Sequence, residues 1–403
     1  MITPITKNPF KTSFLSAFVI TPGILPFNDQ EIVRYDHELS RFEQIFLNPD
    51  IEKSLISKNE LLASYSISKA ELSSLTLKEA QDVYNLVLAN SDYDFVSIKL
   101  KNGKKLTQKD YDKLEYFNIA KTFRNLNQNP FTFEDLSPQL ILTLHQNLTQ
   151  GLDIFEKYLT EFTVYKSGSW RDNDNIRVGK YIPAHYKEIE VAVQELINWL
   201  KTNKTITAVA IFHTALYGLH PFNNGNKRVC RMLEHILLRQ LGINQKNLYS
   251  TSYYYHKQKP RYYKYLLYSL ERKNLNHFVS FAQEAIMLSM ISVVKTSLEA
   301  KRNEFLNSQT ADPTTRIILK PLIKRKELQF KHLFKNVDKK MARQTFVTNL
   351  QKAAEKQIIT RKDQGRSTYY SLNSPFPEEE TISSWLLFIK KKLHYIPDEL
   401  LLA

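Results

Sequence analysis

A polar segment of twelve residues, from His220 to Arg231, joins two apolar segments, and this junction constrains the fold more than any other feature of the chain. Upstream, residues 208–217 are almost entirely apolar and predict a buried helix. Downstream, apolar residues from Val229 to Leu241 recur at helical spacing. The polar segment therefore ends one core helix and begins the next. Together with the low content of nine glycines, this pattern predicts a mainly α-helical protein.

The junction carries residues suited to a phosphorylated ligand. Backbone N–H groups at a helix start beside Gly225 favour anions, and Arg228 and Arg231 lie one turn apart on one face. His220 can remove a proton from an attacking hydroxyl. Each piece taken alone is more often structural, since Asn-Gly marks turns and paired arginines usually face solvent. Their order between two apolar helices favours a functional site.

These residues resemble the signature of the Fic family, His-Pro-Phe-x-Asp/Glu-Gly-Asn-Gly/Lys-Arg-x-x-Arg. Other segments resemble the family in the same order along the chain: Leu144–Leu148, Lys166–Arg171, Arg177–Pro183 with Trp199-Leu200, and Tyr253–Tyr265. The resemblance extends over roughly residues 55 to 290 and implies the Fic helical bundle with a small β-hairpin flap, which we expect within residues 164–183.

The resemblance implies transfer of AMP from ATP to a hydroxyl side chain of a target protein or of the chain itself. His220 would be the general base. The residues that would bind phosphate are Gly225, Asn226, Lys227, Arg228 and Arg231. The residues that would contact the adenine base of the nucleotide are Gln258, Tyr262 and Tyr263, and the alternative for them is aromatic packing in the core. The flap edge that would bind the target as an added strand is Arg177, Val178 and Gly179, and the alternative there is an ordinary hairpin.

Three residues depart from the family pattern. Asn224 stands where the family has the acid that binds magnesium, so Mg²⁺ should bind less tightly. Lys227 replaces the second glycine, as in the Doc branch, which phosphorylates its target by presenting the nucleotide in the opposite sense. Ser68 stands where the self-inhibitory helix has its glutamate, which should leave Arg231 free for the γ-phosphate unless Glu71 substitutes.

The C-terminal part of the chain is strongly basic. Residues 312–375 contain fifteen Lys and Arg against five Asp and Glu, which is most of the formal net charge of +15. Short helical patterns followed by a hairpin resemble a winged helix-turn-helix domain. The candidate DNA contacts are Arg343, Gln344 and Lys352 on the recognition helix, and Arg361 and Arg366 on the wing. The alternative is a protein-docking module with a solvated basic face.

We therefore expect three parts: a helical region over 1–110, a Fic core over 111–302 and a basic domain over 312–403, with 307–315 as a polar linker. The single Cys230 excludes an intramolecular disulfide and any Cys-based zinc cluster. We see neither a signal peptide nor a membrane span and expect a cytoplasmic protein. The expected partners are a target protein, DNA and a second copy of the chain.

Three functions remain open on these residues. The first is an AMP transferase with a DNA-binding domain. The second is Doc-like protein phosphorylation, which Lys227 favours. The third is a nucleotide-sensing, DNA-binding regulator with a weakened site, which Asn224 and the basic C-terminal part favour.

Overall fold

The computed structural model describes residues 6–70, 73–160, 166–337, 341–365, 367–373 and 376–401 of the 403-residue chain. Within these ranges the protein is mainly α-helical, as predicted. The helices in chain order are α1 (Asp29–Phe46), α2 (Pro49–Lys69), α3 (Leu77–Ala89), α4 (Phe95–Lys101), α5 (Gln108–Gln128), α6 (Pro138–Thr149), α7 (Ile189–Thr202), α8 (Ile206–Leu219), α9 (Asn226–Gln240), α10 (Thr251–Lys257), α11 (Lys259–Glu271), α12 (Asn276–Gln309), α13 (Pro313–Leu319), α14 (Phe330–Lys335), α15 (Arg343–Glu355) and α16 (Pro377–Ile389). The strands are β1 (Leu328–Gln329), β2 (Ile359–Gln364) and β3 (Ser367–Leu372).

The chain divides into two compact units, and both contain residues from separate parts of the sequence. One consists of Met1–His37 and Lys53–Ser289, and the other of Glu38–Glu52 and Met290–Ala403. These boundaries differ from the expected divisions near residues 110 and 302. The polar stretch 307–315 is also not an extended linker, because α12 continues to Gln309 and α13 begins at Pro313. Polar composition did not end α12, since polar residues are tolerated on the exposed face of a helix.

Helices α8 and α9 form the centre of the first unit. Thr205 begins α8 by accepting a hydrogen bond from the Ala208 N–H, and every residue of the helix is buried except Thr207. Helix α9 is likewise buried through Leu238, apart from Lys227. Two apolar helices that are buried this completely hold the polar residues between them at a fixed place in the core.

The predicted flap is shorter than expected. Over the described residues 166–183 the structure has one isolated antiparallel bridge, in which Val178 and Tyr181 exchange N–H···O bonds of 3.1 Å, and no regular strand. Gly179 adopts a positive φ of 62°, which closes this tight turn. The Tyr181 hydroxyl donates to the Gly218 carbonyl of α8 at 3.0 Å. A Cβ on Gly218 would lie 3.2 Å from that hydroxyl, so a side chain there would crowd the flap.

Within the second unit, residues 313–372 form a helix, a short strand, two further helices and a hairpin. The sheet order is β1-β3-β2 and all pairings are antiparallel, with Arg361 opposite Tyr370. The predicted hairpin is therefore confirmed. Its core includes Phe346 and Leu350 of α15 packed with Ile318 of α13. This order of elements agrees with a winged helix-turn-helix, and that assignment stays a prediction.

Helix α12 is the one helix in the described residues that is long and apolar enough to span a membrane by length and composition alone. Its most apolar stretch is 83% buried inside the protein. A core helix of a folded protein passes the same test, and this degree of burial is typical of a core helix.

Candidate active site

His220 ends α8 in the left-handed region, with φ 51° and ψ 59°. A residue other than glycine seldom adopts this conformation, which costs on the order of 1–3 kcal/mol and is retained where the surroundings enforce it. The side chain is half-buried, and its ring meets Tyr217 edge to face at a centroid distance of 5.2 Å. The strained backbone turns the chain sharply between the two core helices, so that the histidine stands at their junction.

Gly225, with φ 83°, turns the chain into the first residue of α9. The buried side chain of Asn226 stabilises the turn. Its oxygen accepts from the Phe222 N–H at 3.0 Å, and its amide nitrogen donates to the Phe222 carbonyl at 2.8 Å. A Cβ at position 225 would lie 3.2 Å from His145 Nε2, so a side chain there would meet both strain and crowding. The first N–H groups of α9 have no acceptor within the helix, which makes this end suited to an anion.

His145 of α6 supports the same loop from the side. Its Nδ1 accepts the Gly168 N–H at 3.1 Å and its Nε2 donates to the Asn224 carbonyl at 3.1 Å. The ring stacks on Phe222 with centroids 3.8 Å apart. Burial, together with the charge of Arg228, lowers the pKa of His145 to about 3. The ring is therefore neutral at pH 7, and its two nitrogens have fixed roles as acceptor and donor.

Arg228, a predicted phosphate ligand, is fully buried. Its Nη1 lies 3.1 Å from Oε1 of Glu115 on α5, and the Ser68 hydroxyl donates to the other carboxylate oxygen at 3.2 Å. Glu115 is only 1% exposed, so this is an interior ion pair. A triphosphate would have to share Arg228 with this carboxylate. Its phosphate contact stays a prediction.

Arg231 is not free, contrary to the expectation from the missing glutamate. Its Nη1 donates to the Ser66 carbonyl at 3.1 Å, and the guanidinium lies 4.3 Å above the Tyr262 ring. Lys227 donates in the same way to the Ala70 carbonyl at 2.9 Å, beside the Tyr263 hydroxyl, which donates to that oxygen at 2.9 Å. The last carbonyls of a helix lack partners within it, so cations and hydroxyls satisfy them.

These contacts place the C-terminal end of α2 on the cations that were predicted to bind phosphate. The glutamate is missing at Ser68, but backbone carbonyls occupy Lys227 and Arg231 in its place. A neutral carbonyl is a weaker partner for a cation than a phosphate oxygen. In this structure Lys227 and Arg231 therefore contact neutral oxygens, and their binding of phosphate stays a prediction. Glu71, the suggested substitute, lies outside the described residues.

The predicted base contacts differ in their access to a nucleotide. Gln258 is half-buried and lies between α10 and α11. Tyr263 is half-buried and engaged with Ala70. Tyr262 has no exposed surface, and its ring supports Arg231. Aromatic packing, the alternative reading of the sequence, describes Tyr262 better.

The predicted flap edge is accessible. Arg177 and Gly179 are exposed and Val178 is half-buried, and beside them Ile182 is 60% exposed. Val178 uses its own N–H and carbonyl within the turn. Any added strand would therefore pair with the neighbouring residues of the flap.

The residues here do not fit a magnesium ion held by the protein. The amide oxygen of Asn224, the candidate ligand, accepts the Gly225 N–H at 2.7 Å. In the part of the chain that the structure describes, no group of three or more His, Cys, Asp or Glu residues could hold a metal. Mg²⁺ usually takes one or two carboxylates together with substrate phosphates, and Glu115, the carboxylate beside Arg228, is engaged by that arginine.

The sequence did not predict that Arg171 contributes to the site, although Arg171 lies in a segment that resembles a turn of the family. Its Nε donates to the His220 carbonyl at 2.8 Å, and its own N–H donates to the Pro221 carbonyl at 2.8 Å. Glu115 was also missed, because one acidic residue in a polar helix gives no signal of burial. Spacing around an aromatic-arginine turn was the available signal for Arg171.

The candidate DNA contacts lie in the second unit. Arg343, Gln344 and Lys352 are exposed on α15, and Arg361 is exposed on β2, where it pairs with Asp363. Arg366 lies outside the described residues.

Comparisons with known proteins find similarity over part of the chain. Residues 135–238 match the Fic/DOC family. A probable protein adenylyltransferase of Aquifex aeolicus is 29% identical over 136 residues, which cover 32% of this chain and 39% of that protein. The protein adenylyltransferase Fic of Drosophila mojavensis is 26% identical over 112 residues, 27% of this chain and 22% of that protein. The chain thus matches about two fifths or less of these curated relatives. A crystal structure of a Fic family protein from Desulfovibrio desulfuricans covers 87% of this chain and 99% of its own, with 17% identity and a TM-score of 0.48.

Proposed function

We propose that this chain is a protein adenylyltransferase that moves AMP from ATP to a hydroxyl side chain of a target protein or of itself, because residues 135–238 match the Fic/DOC family. The observation that carries the proposal is the junction of α8 and α9. There the half-buried His220 stands beside a helix start whose first turn carries Lys227 and Arg228. The relatives named as adenylyltransferases support the same reaction.

The reaction follows from this arrangement. His220 accepts the proton of the target hydroxyl, the hydroxyl oxygen forms a bond to the α-phosphorus, and the bond from that phosphorus to the bridging oxygen breaks. Pyrophosphate leaves with the electron pair of the broken bond. General-base action of this kind contributes typically ~10²–10⁴-fold. The N–H groups at the start of α9 and the cations of its first two turns stabilise the negative charge on the phosphates.

Lys227 supports a second candidate, a phosphotransferase. Its Nζ lies 2.9 Å from the Ala70 carbonyl, just after the end of α2. If the nucleotide enters in the opposite sense, this cation lies near the transferred γ-phosphate, and the same histidine activates the hydroxyl. The products then differ, since phosphate is attached and ADP leaves.

A third candidate is a nucleotide-sensing regulator that binds but does not turn over. Asn224 supports it, because its amide oxygen accepts the Gly225 N–H at 2.7 Å and supplies no negative charge for a metal. Incubation with ATP labelled at the α- or the γ-phosphate distinguishes the three candidate functions. Retained α-label identifies AMP transfer, retained γ-label identifies phosphorylation, and neither label leaves the regulator. His220→Ala is the control that must lose any label.

We also propose that the basic part of the second unit binds DNA. On α15 the buried residues Phe346, Leu350 and Ala353 form one face, and Arg343 and Lys352 are exposed on the rest of the helix. Exposed cations on a helix are the kind of residue with which a recognition helix contacts DNA. The hairpin that follows carries the exposed Arg361.

Charge reversal tests this second activity. Arg343→Glu with Lys352→Glu should weaken binding to duplex DNA and flatten its salt dependence, since each lost phosphate contact changes the slope by about 0.9. Lys390→Glu, an exposed lysine of the same unit beyond α16, is the matched control. Equal binding by the wild type and both variants at each salt concentration would rule out Arg343 and Lys352 as DNA contacts.

A further inference from the structure

We propose that Arg171 is a positioning residue that fixes the flap, and so the bound target, relative to the catalytic His220. The inference rests on the proposed function. Arg171 is a buried arginine outside the signature sequence, and its hydrogen bonds reach both the histidine and the two ends of the flap.

Arg171 holds the strained turn at His220 from two directions. The Nε–H donates to the His220 carbonyl at 2.8 Å, and Nη2 donates to the Leu219 carbonyl at 3.4 Å. The backbone N–H of Arg171 donates to the Pro221 carbonyl at 2.8 Å. Three consecutive carbonyls of the turn are therefore bound by one residue. Such bonds enforce the left-handed conformation, which an ordinary residue does not hold by itself.

The same guanidinium also binds the two ends of the flap. Nη1 donates to the Asn173 carbonyl at 2.5 Å and to Asp174 Oδ1 at 2.9 Å. Both residues precede the exposed turn of the flap, residues 177–182. Nη2 donates to the Ala184 carbonyl, which follows them. Arg171 is thus a direct connection between the ends of the flap and the backbone of the general base.

Only an arginine can make this connection. The guanidinium is planar and presents its N–H donors in fixed directions, so one side chain can reach acceptors on three segments. A lysine keeps the charge but has one rotatable ammonium group, which cannot serve acceptors on opposite sides. The side chain is 1% exposed, so water does not replace the lost donors easily.

The function of this connection is geometric. The target hydroxyl is held by the flap, and the base that deprotonates it is His220. If the two shift relative to each other, the hydroxyl no longer lies within reach of the imidazole. A misplacement of about 1 Å costs on the order of 10²-fold in rate. The nucleotide, which is held by α9, should be bound nearly as well.

Arg171→Lys tests the inference, with Arg239→Lys as the matched control. Arg239 also donates to backbone and side-chain oxygens of the same unit, Gln245 O at 3.2 Å and Asn127 Oδ1 at 3.0 Å, and these contacts lie away from His220 and the described part of the flap. Relative to the control, Arg171→Lys should lower the kcat of AMP transfer about 30- to 100-fold and leave the KM for ATP within about threefold. Equal kcat in the two variants overturns the inference.

Limited trypsin digestion provides a readout that does not depend on activity. The flap offers cleavage sites after the exposed Arg177 and Lys180. Arg171→Lys should accelerate cleavage at these two sites and not elsewhere, because the ends of the flap lose their shared partner. Unchanged cleavage there, or an increase at all sites as in general destabilisation, overturns the inference. If the wild-type protein transfers no AMP, the proposed function fails, and the digestion still decides whether Arg171 fixes the flap.

Discussion

Restoring a carboxylate at position 68 should weaken ATP binding, and the structure sets the size of the effect. Ser68 is 1% exposed, on the last turn of α2, and its hydroxyl lies 3.2 Å from Glu115 Oε2. In Ser68→Glu the side chain is longer by two carbon–carbon bonds. We expect its carboxylate to lie beside Glu115, Arg228 and Arg231. Two carboxylates beside Arg228 and Arg231 remain balanced in charge.

The expected magnitude follows from what the γ-phosphate would lose. Arg231 currently donates to a neutral carbonyl, that of Ser66, at 3.1 Å. With Glu at position 68 it pairs with a carboxylate instead, and ATP must break a charged hydrogen bond worth about 1.5–3 kcal/mol. Since each 1.4 kcal/mol is tenfold, the dissociation constant of ATP should rise about 10- to 100-fold.

Calorimetric titration with ATP measures this change, and Ser68→Gln is the control because it has the same size and no charge. The glutamine variant should bind within about threefold of the wild type. If both variants weaken binding equally, the cause is steric and not electrostatic. If neither does, Arg231 is not a ligand of the triphosphate.

Three further predictions concern the loop and its supports. Burial and the charge of Arg228 lower the pKa of His145 from 6.5 to about 3. Between these two pH values His145 therefore binds a proton in the unfolded chain and not in the folded one. Stability should therefore fall as the pH drops from 6.5 towards 3, and His145→Gln should make the melting temperature less dependent on pH in that range; an unchanged dependence would mean that His145 is charged in the fold. Asn224→Asp should lower the Mg²⁺ concentration that gives half-maximal transfer, and an identical metal titration would remove position 224 from the ligands. Glu115→Met should destabilise the protein by about 3–5 kcal/mol in chemical unfolding because Arg228 stays buried beside it, and adding Arg228→Met should recover most of that loss; a small effect of the single change would show that the pair contributes little.

Several features of the fold could be predicted because they depend on local sequence. The almost entirely apolar stretch before His220 and the helical spacing after it predicted α8 and α9, and the Asn-Gly pair predicted the turn between them. The hairpin of β2 and β3 followed from β-prone residues on either side of a Gly turn. In each case neighbours in the sequence are also neighbours in space, so periodicity and turn chemistry are sufficient.

The supports of the site could not be predicted because they come from distant segments. Glu115 approaches Arg228 from α5, and the carbonyls of Ser66 and Ala70 reach Arg231 and Lys227 from α2. A backbone carbonyl carries no sequence signature, so its contact with a cation depends on packing alone. The expectation that Arg231 is free considered only the side chain at position 68 and overlooked the backbone at the end of the helix.

The flap shows the same limit on a smaller scale. Alternating β-prone residues and glycines predicted a hairpin, but over residues 166–183, where the structure is described, the strand-like pairing is limited to Val178 and Tyr181. The Tyr181 hydroxyl and the guanidinium of Arg171 hold this segment instead of a ladder of strand hydrogen bonds. Side-chain contacts to α8 and to the turn after it replaced the backbone pairing that the pattern predicted.

The most direct measurement compares ATP binding and label transfer in the same preparation of His220→Ala. The imidazole and the phosphate-binding start of α9 are separate parts of one junction, so this variant should bind ATP as tightly as the wild type and transfer no α-label to protein. Retained transfer would show that His220 is not the base, and lost binding would show that the histidine holds the nucleotide rather than activating the hydroxyl.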